Sequence, residues 1–407
     1  MDNNRNRTRI VILGAGYGGI VAAQGLSKKI DQLNVDITLV NRHSYHQMLT
    51  KLHEPAGGQT EGNEIRIPIH RLVKGIRIIK DSVESIEPEV NKVILQKQEI
   101  EYDYLVIALG SDPEYFDIPG LEKYGYPLRS LNAARLIKAQ IESCLAQHKV
   151  AQLGRGQLTF VVGGAGFTGV ELAGELSTWL PTVAPKYDIK REKIKLLCVE
   201  AADSVLPGAD PYVSSQAEAI LRNQGVDVRL GMPIKEVEET QMIIGDETIP
   251  YKMLIWTGGV RGNSVLEKSG FSTRRGRANI NEYLQSINYK NVFIIGDSSI
   301  YIEENGRALP PTAQLAMQQG KHLIKNIASI LSGKNMQPFK FIDRGVVASI
   351  GPNDAVGIVY RKYRMKGLTA VWMKKIIHYR YLFIIGGVRL VLQDMFGILS
   401  KRNAKEE

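Results

Sequence analysis

The chain has 407 residues, 44% of them hydrophobic and 23% charged, which excludes a disordered or fibrous protein and leaves room for two or three packed domains. Its two cysteines, Cys144 and Cys198, lie too far apart for a disulfide framework or a zinc site and fit a reducing, cytosolic compartment. The formal net charge is +10, and residues 340–407 hold 13 Lys and Arg against 5 Asp and Glu.

The first predicted elements are a strand, a helix and a second strand, over residues 9–13, 18–30 and 35–40. The polar start before them predicts no cleavable secretion signal. Between the first strand and the helix lies the first fingerprint, residues 14–19, with Gly14, Gly16 and Gly19. Glycines at this spacing allow a tight turn and the close approach of a pyrophosphate to a helix N-terminus, so they predict a dinucleotide site.

Asn41 stands where an acidic residue normally ends the second strand of such a unit. An amide still bonds a ribose hydroxyl, but without the strength that a charge gives. The asparagine at this position makes it less certain which dinucleotide binds here, but it does not affect the predicted phosphate site.

Later elements add to this first site. An apolar strand over residues 102–109 ends at Gly110, where backbone is exposed to a ligand, and a strand over residues 291–295 leads into Asp297. We expect Asp297 to accept from a ribityl hydroxyl of a flavin, although an aspartate also caps turns. A helix is predicted from residues 310–314 to about 331, with Thr312 as N-cap. If Ala313, at its start, faces the isoalloxazine, the helix dipole favours negative charge on the reduced ring.

The second fingerprint, residues 164–169, contains Gly164, Gly166 and Gly169 and follows an apolar strand over residues 158–162. Here the next strand does end in an acid, Glu200, which favours NADH because a carboxylate accepts from ribose hydroxyls and repels a 2′-phosphate. A further strand over residues 253–256 ends beside Gly258, which we expect at the same site.

These elements predict an α/β fold with two Rossmann-like dinucleotide-binding domains, for FAD and NADH, and a C-terminal membrane-associating segment. The FAD-binding domain is expected to be discontinuous, residues 1–113 and 287–340. Residues 114–286 form the NADH-binding domain, and residues 341–407 form a membrane-anchoring or dimer region.

The two fingerprints, residues 108–111 and 257–263, Gly296–Asp297 and residues 313–320 closely resemble the type II NADH dehydrogenases. These are single-subunit, non-pumping NADH:quinone oxidoreductases with FAD, and the resemblance covers nearly the whole chain. It implies that Gln314 and Gln318 lie beside the flavin where nicotinamide and quinone approach, and that Glu171 reaches the same region. It also implies that Lys374 and Ile377 lie at the quinone end.

Several of these residues also allow other interpretations. Gln314 and Gln318 also fit two amides on a helix surface. Glu171 and Glu175, one turn apart, also fit a solvated helix face or acids near the helix start that complement its dipole, and for Glu175 this is the favoured interpretation. Disulfide reductases and sulfide:quinone oxidoreductases need cysteines, and residues 49–58 contain none, so neither chemistry is expected. The seven histidines are scattered, so no metal site is expected.

The C-terminal segment carries the expected membrane contact. Its longest apolar run, residues 381–388, is too short to span a bilayer. From Val388 onward the pattern predicts an amphipathic helix, interrupted by Leu390. Its apolar face is Val388, Val391, Leu392, Met395 and Leu399; its polar face is Arg389, Gln393 and Ser400; the cations expected near anionic lipid are Lys374, Arg380, Lys401 and Arg402.

The expected protein is therefore a peripheral enzyme on the cytoplasmic face of the cell membrane, with NADH, a quinone and anionic lipid as partners. Packing of the last helix on its own domain or in a homodimer is the alternative. A soluble NAD(P)H-dependent ferredoxin-type reductase or diaphorase, and a nucleotide-sensing binding protein, are the competing functions. The basic segment lacks aromatics interleaved for base stacking, so nucleic acid is not expected as a partner.

Overall fold

The structure is a computed structural model that describes residues 7–150, 158–303, 306, 308–399 and 401. Two parallel sheets dominate it. The strands of the first lie in the order Val292–Ile294, Tyr104–Ile107, Thr8–Leu13, Val35–Asn41 and Arg77–Lys80.

Two helices, Tyr17–Ser27 and Ala313–Leu331, pack against each other in this first unit. Glycines allow the close contact, because a Cβ on Gly320 would lie 2.5 Å from the carbonyl oxygen of Gly18. The helix predicted over residues 18–30 ends at Ser27. The pairing of Val292–Ile294 with Tyr104–Ile107 brings a late strand of the chain to the sheet that holds the first fingerprint.

The second sheet has the strand order Gly125–Pro127, Met253–Trp256, Leu158–Gly163, Ile194–Val199 and Asp227–Arg229, all parallel. Its main helices are Leu131–Val150, Phe167–Val183 and Pro211–Asn223. All six residues of the central strand are buried, as expected for a parallel strand covered on both faces.

Small sheets and short helices connect these units. The antiparallel strands are Val83–Glu87, Lys92–Leu95 and Glu99–Glu101; Ile234–Val237, Gln241–Ile244 and Glu247–Pro250; Tyr45–Gln47 and Arg66–Pro68; Ser111–Pro113 and Val260–Gly262. In a mixed sheet, Thr273–Arg274 pairs antiparallel with Arg277–Asn279, which pairs parallel with Ser299–Ile300. The short helices are Ile30–Leu33, His53–Ala56, Ile69–Leu72, Leu121–Tyr124 and Ser264–Lys268, with 3-10 turns at Leu49–Lys51, Pro88–Val90, Ala184–Tyr187, Arg191–Lys193 and Gly296–Ser298.

Residues before the expected boundary at 287 pack with the first sheet. Leu266, Phe271 and Ala278 are buried in one hydrophobic cluster with Val11 and Val292. The division into residues 1–113 with 287–340 and residues 114–286 stays a prediction.

The C-terminal segment begins with an antiparallel sheet, Gly345–Ser349, Ala355–Val359 and Tyr363–Lys366. The helix Leu368–Met395 follows, which we call the C-terminal helix; it is kinked at Gly387, where φ is 65°. Gln24 of the first unit donates a 2.5 Å hydrogen bond to the carbonyl of Ile385, just before the kink. The Gln24 side chain therefore supplies a hydrogen-bond partner to a backbone carbonyl next to the break in the helix.

The exposed apolar face of this segment is larger than predicted, and part of the prediction was wrong. Its members are Leu368, Trp372, Ile376, Phe383, Val388, Leu392, Met395, Phe396 and Ile398. Ile377 and Ile384 are also exposed, on the side of the helix that lines the cleft. Leu399, expected on this face, is buried, and Leu390, the expected interruption, points inward. The cause is the kink together with the end of the helix at Met395, since both break the 3.6-residue period. Ser400 and Arg402 lie outside the described residues.

No helix within the described ranges is long and apolar enough to cross a membrane.

Candidate active site

A cleft of about 2100 Å³ runs between the two units and the C-terminal helix. It brings together most of the residues that the sequence singled out for the first site and the quinone end. The lining includes Gly14, Gly16, Asn41, Gly110, Asp297, Ala313, Gln314, Gln318, Glu171, Lys374 and Ile377. The second fingerprint lies beside the cleft, and its Phe167 and Thr168 reach into it.

The first fingerprint has the geometry of a pyrophosphate cradle. Gly14 has φ +97°, and a Cβ there would lie 2.3 Å from the carbonyl oxygen of Ala108. A Cβ on Gly19 would lie 1.9 Å from the oxygen of Gly14, whereas one on Gly16 would meet no protein atom within 4 Å. Only glycine is therefore tolerated at the turn, and the helix N-terminus faces open space, which fits a dinucleotide such as FAD.

The side chain of Asn41 holds the fingerprint loop. Its Oδ1 accepts from the backbone N–H of Ala15 at 2.9 Å, and its Nδ2 donates to the carbonyl of His43 at 2.7 Å. One lone pair of Oδ1 remains for a ribose hydroxyl. The amide of Asn41 therefore accepts from the N–H of the fingerprint loop, as the carboxylate of Glu200 does in the second fingerprint.

Asp297 lies in the turn that follows the strand Val292–Ile294. Burial raises the pKa of its carboxyl, against the hydrogen bond from Ser111 and the nearby Arg277. The carboxyl of Asp297 lines the cleft. A carboxyl group has more acceptor positions than the one that Ser111 occupies, so it could also accept from a ribityl hydroxyl. Beside it, Gln319, which the sequence did not single out, is fully buried and accepts from the N–H of Gly296 at 2.7 Å.

The helix Ala313–Leu331 begins as predicted, since the Thr312 hydroxyl accepts from the N–H of Leu315 at 3.1 Å. Gln314 and Gln318 line the cleft, but their amides also hold the backbone of the C-terminal segment. Gln314 Oε1 accepts from Arg344 N–H at 2.8 Å, and Gln318 binds both the N–H and the carbonyl of Ile342. Their expected role beside the flavin stays a prediction.

The second fingerprint repeats the geometry of the first. Gly164 has φ +96° and leaves no room for a Cβ beside Gly258, and a Cβ on Gly169 would lie 1.8 Å from the oxygen of Gly164. Gly166 is open. Glu200 accepts from the N–H groups of Ala165 and Ala202, at 2.7 and 3.0 Å. This loop therefore fits a second dinucleotide, with a carboxylate at the ribose end.

Glu171 is the centre of a buried polar cluster where three parts of the chain meet. Its Oε1 lies 2.5 Å from Lys374 Nζ and accepts from the N–H and hydroxyl of Ser349 at 3.2 Å, while its Oε2 lies 3.3 Å from His53 Nδ1. Burial opposes ionisation of Glu171, but Lys374, His53 and the hydrogen bonds outweigh it and lower its pKa. Glu171 is therefore a carboxylate. The sequence offered no signal for His53 or Ser349.

The solvated position favoured for Glu175 was wrong. Its side chain is buried, because the turn after the helix His53–Ala56 covers it. Burial, with Glu54 and Glu171 nearby, raises its pKa to about 8. Glu175 therefore carries a proton at neutral pH.

Neither cysteine takes part in the cleft. Cys144 lies in the helix Leu131–Val150 and Cys198 in the strand Ile194–Val199, and burial raises the pKa of Cys198 to about 12. Thiol chemistry at this site therefore has no residue to perform it.

Comparisons with known proteins agree with this geometry. The family described as pyridine nucleotide-disulphide oxidoreductase matches residues 8–320. The type II NADH:quinone oxidoreductases of Staphylococcus saprophyticus and Staphylococcus haemolyticus are 34% and 35% identical to the chain over 402 residues, covering 96% of it and 98% of each relative.

Solved structures share the fold. NDH2 from Plasmodium falciparum in complex with NADH has a TM-score of 0.85 at 19% identity, covering 96% of this chain and 98% of that one. The sulfide:quinone oxidoreductase from Aquifex aeolicus has a TM-score of 0.76 at 20% identity, covering 93% and 91%.

Two fingerprints, each at the carboxyl end of a parallel strand and beside one cleft, define a flavoprotein of the pyridine nucleotide-disulphide oxidoreductase class. Within that class, the chain belongs to the type II NADH:quinone oxidoreductases. The family resemblance noted in the sequence is confirmed.

Proposed function

We propose that this chain transfers two electrons from NADH to a quinone at the surface of a membrane, without proton pumping. FAD, when bound at the first fingerprint, supplies the hydride and electron chemistry. The observation that carries the proposal is the Glu171 cluster. It joins the helix of the second fingerprint to the C-terminal helix inside the cleft that the first fingerprint lines.

The cluster suits proton delivery to a reduced quinone. Of the two protons that end on the reduced quinone, one comes with the hydride of NADH, so the site has to supply one more. It contains an ionised Glu171 with Lys374 as its ion-pair partner. The proton to be delivered then lies on the Lys374 ammonium, and Glu171 holds that group in the cleft. In this arrangement Glu171 positions the proton donor and is not itself the donor.

Gln314, Gln318 and Ile377 complete the proposed quinone end. Both glutamines line the cleft near its boundary with residues 342–345, and Ile377 lies one helical turn from Lys374 on the C-terminal helix. Neutral amides and an apolar side chain suit a quinone ring, which needs hydrogen-bond donors at its oxygens and an apolar path for its tail.

The decisive test is anaerobic absorbance spectroscopy of the purified holoprotein. NADH should bleach the flavin bands, and a quinone analogue should restore them in full. A flavin that stays reduced after quinone addition would have a different acceptor, and the flavin of a nucleotide-sensing protein would not be bleached at all. Either result rejects the proposed reaction.

We also propose that the exposed apolar face contacts an anionic membrane on its cytoplasmic side. Leu368, Trp372 and Ile376, at i, i+4 and i+8, present one stripe to solvent. Lys375 lies over the Trp372 ring at 5.2 Å, and Arg380 is exposed nearby. Apolar side chains flanked by cations are the pattern of a helix that lies on anionic lipid.

A vesicle-pelleting assay tests this contact. The holoprotein should pellet with vesicles that contain anionic lipid, and less so at high salt. Trp372→Glu should release it, whereas Val90→Glu, which changes an equally exposed apolar residue far from the helix, should not. Loss of dimerisation instead of lipid binding in the Trp372 variant would assign this face to a homodimer.

A further inference from the structure

A second polar contact joins the C-terminal helix to the nucleotide sites, apart from the Glu171 cluster. His46, in the strand Tyr45–Gln47, is fully buried. Its Nδ1 lies 2.7 Å from the carbonyl oxygen of Ala15 in the first fingerprint, and its Nε2 lies 2.7 Å from the hydroxyl of Tyr381 in the C-terminal helix. One ring therefore bridges the fingerprint loop and the helix.

The direction of both hydrogen bonds follows from their partners. Burial lowers the pKa of His46 to about 4, against the bond to Ala15, so the imidazole is neutral at physiological pH. A carbonyl only accepts, so Nδ1 carries the proton and donates to Ala15. Nε2 then accepts from the Tyr381 hydroxyl.

The bond to Ala15 orients a peptide of the first fingerprint that lines the cleft. The carbonyl of Ala15 and the N–H of Gly16 belong to one planar trans peptide and point in opposite directions. Because His46 holds the carbonyl, the N–H of Gly16 is turned the other way, and the N–H of Ala15 is held separately by Asn41. The orientation of the phosphate-facing peptide thus depends on His46.

Tyr17 closes this region against water. Its ring packs edge-on to His46, with centroids 5.5 Å apart, and lies 4.8 Å from the ring of Tyr381. Its hydroxyl is 2.7 Å from Thr50 Oγ1. No water is expected to replace a lost bond here, so an unpaired Nε2 on His46 would be costly.

We propose that His46 is a positioning residue that couples binding of FAD at the first fingerprint to the seating of the C-terminal helix. Seating places the Tyr381 hydroxyl on Nε2, which orients the ring, the Ala15–Gly16 peptide and the N–H group offered to the pyrophosphate. Coupling between two binding events is reciprocal, so bound FAD also holds the helix in place. The proposal requires FAD at this site but not the proposed chemistry at the quinone end.

The first test is the rate of FAD release from the holoprotein in detergent, followed by flavin fluorescence without NADH or quinone. Tyr381→Phe removes only the hydroxyl. It should accelerate release about fivefold, the factor that corresponds to one hydrogen bond of about 1 kcal/mol. Tyr301→Phe is the matched control, since the Tyr301 hydroxyl likewise donates a 2.7 Å hydrogen bond, to the carbonyl of Phe339, but lies outside this cluster. Equal release rates in the two variants would overturn the proposal.

Gln24→Met tests the same coupling from the side of the helix. Gln24 bonds the C-terminal helix at Ile385, and not through His46. Its loss should loosen the seating of the helix, increase hydrogen exchange in residues 376–386 and accelerate FAD release. In the Tyr381→Phe background, where the route through His46 is already broken, it should add little to the release rate. Faster exchange with unchanged release, or a full additional effect in the double variant, would overturn the role of His46.

The effect of FAD on the C-terminal helix can be tested with the wild-type protein. Removal of FAD from the wild-type protein should increase hydrogen exchange of residues 376–386 more than that of the helix Pro211–Asn223, which lies away from the cluster. Unchanged protection of residues 376–386 after FAD removal would also overturn the proposal. Because no quinone is present, neither result depends on the proposed quinone reduction.

Discussion

Replacing Glu171 with glutamine tests the central cluster most directly. The amide keeps the size of the side chain and can still accept from Ser349, but the charge opposite Lys374 is lost. Removing one partner of a fully buried ion pair costs about 3–5 kcal/mol. The Glu171 side chain is 6% exposed and that of Lys374 29%, so Lys374 retains contact with water. We therefore expect a loss of about 2 kcal/mol in the free energy of unfolding.

The kinetic effect of Glu171→Gln should fall on one half-reaction. A positioned acid–base group contributes about 10²- to 10⁴-fold to a rate. We expect reoxidation of the flavin by quinone to slow at least about 100-fold, because Lys374 is no longer held in the cleft. Flavin reduction by NADH needs no proton from this cluster and should change little. Anaerobic stopped-flow absorbance measures the two steps separately.

Glu175→Gln is the matched control for this experiment. Glu175 lies one turn further along the same helix, and its pKa of about 8 means that the substitution removes little charge at pH 7. Both half-reactions of this variant should stay close to wild type. Equal slowing of the two half-reactions in Glu171→Gln would refute the role of the cluster in proton delivery.

Two further substitutions test the electrostatics of the site. The pKa of Glu175 is raised from 4.5 to about 8 in the folded state, so the wild type should lose stability relative to Glu175→Gln as pH rises from about 5 to 8, by at most about 1.4 kcal/mol per pH unit. Urea midpoints measured across this range check it, and parallel curves would contradict it. Glu200→Gln removes the charge that repels a 2′-phosphate and should raise the ratio of kcat/KM for NADPH over NADH about tenfold. An unchanged ratio in steady-state assays would show that Glu200 does not select the nucleotide.

The two fingerprints were predictable because their requirements are local. Gly14 and Gly164 adopt positive φ, and a Cβ on Gly19 or Gly169 would meet the carbonyl oxygen of the glycine five residues before it. A parallel strand before each and a helix after each complete a pattern that is contained within about 30 residues. The start of the helix at Thr312 was predictable for the same reason, since its cap involves a residue three positions away.

The polar clusters were not predictable because their members meet only through tertiary packing. Ser349 bonds Glu171 from 178 residues away, and His46 lies 335 residues from Tyr381. Neither His46 nor His53 belongs to a sequence motif. Glu175 was expected to be exposed because carboxylates on helices usually face water, and this expectation was wrong. In the structure, the turn that contains Gly57 packs against Glu175. No pattern in the sequence around Glu175 predicts this contact.

One face of the C-terminal helix contacts both nucleotide-binding units. Lys374 and Tyr381 are seven residues apart, two helical turns, and therefore lie on the same face. Lys374 reaches Glu171 behind the second fingerprint, and Tyr381 reaches His46 behind the first. A shift of this helix by one turn would break both contacts and leave buried polar groups unpaired. The opposite face carries the exposed side chains of Leu368, Trp372, Ile376 and Phe383, so contact with a membrane would be made by an element whose position both cofactor sites already fix.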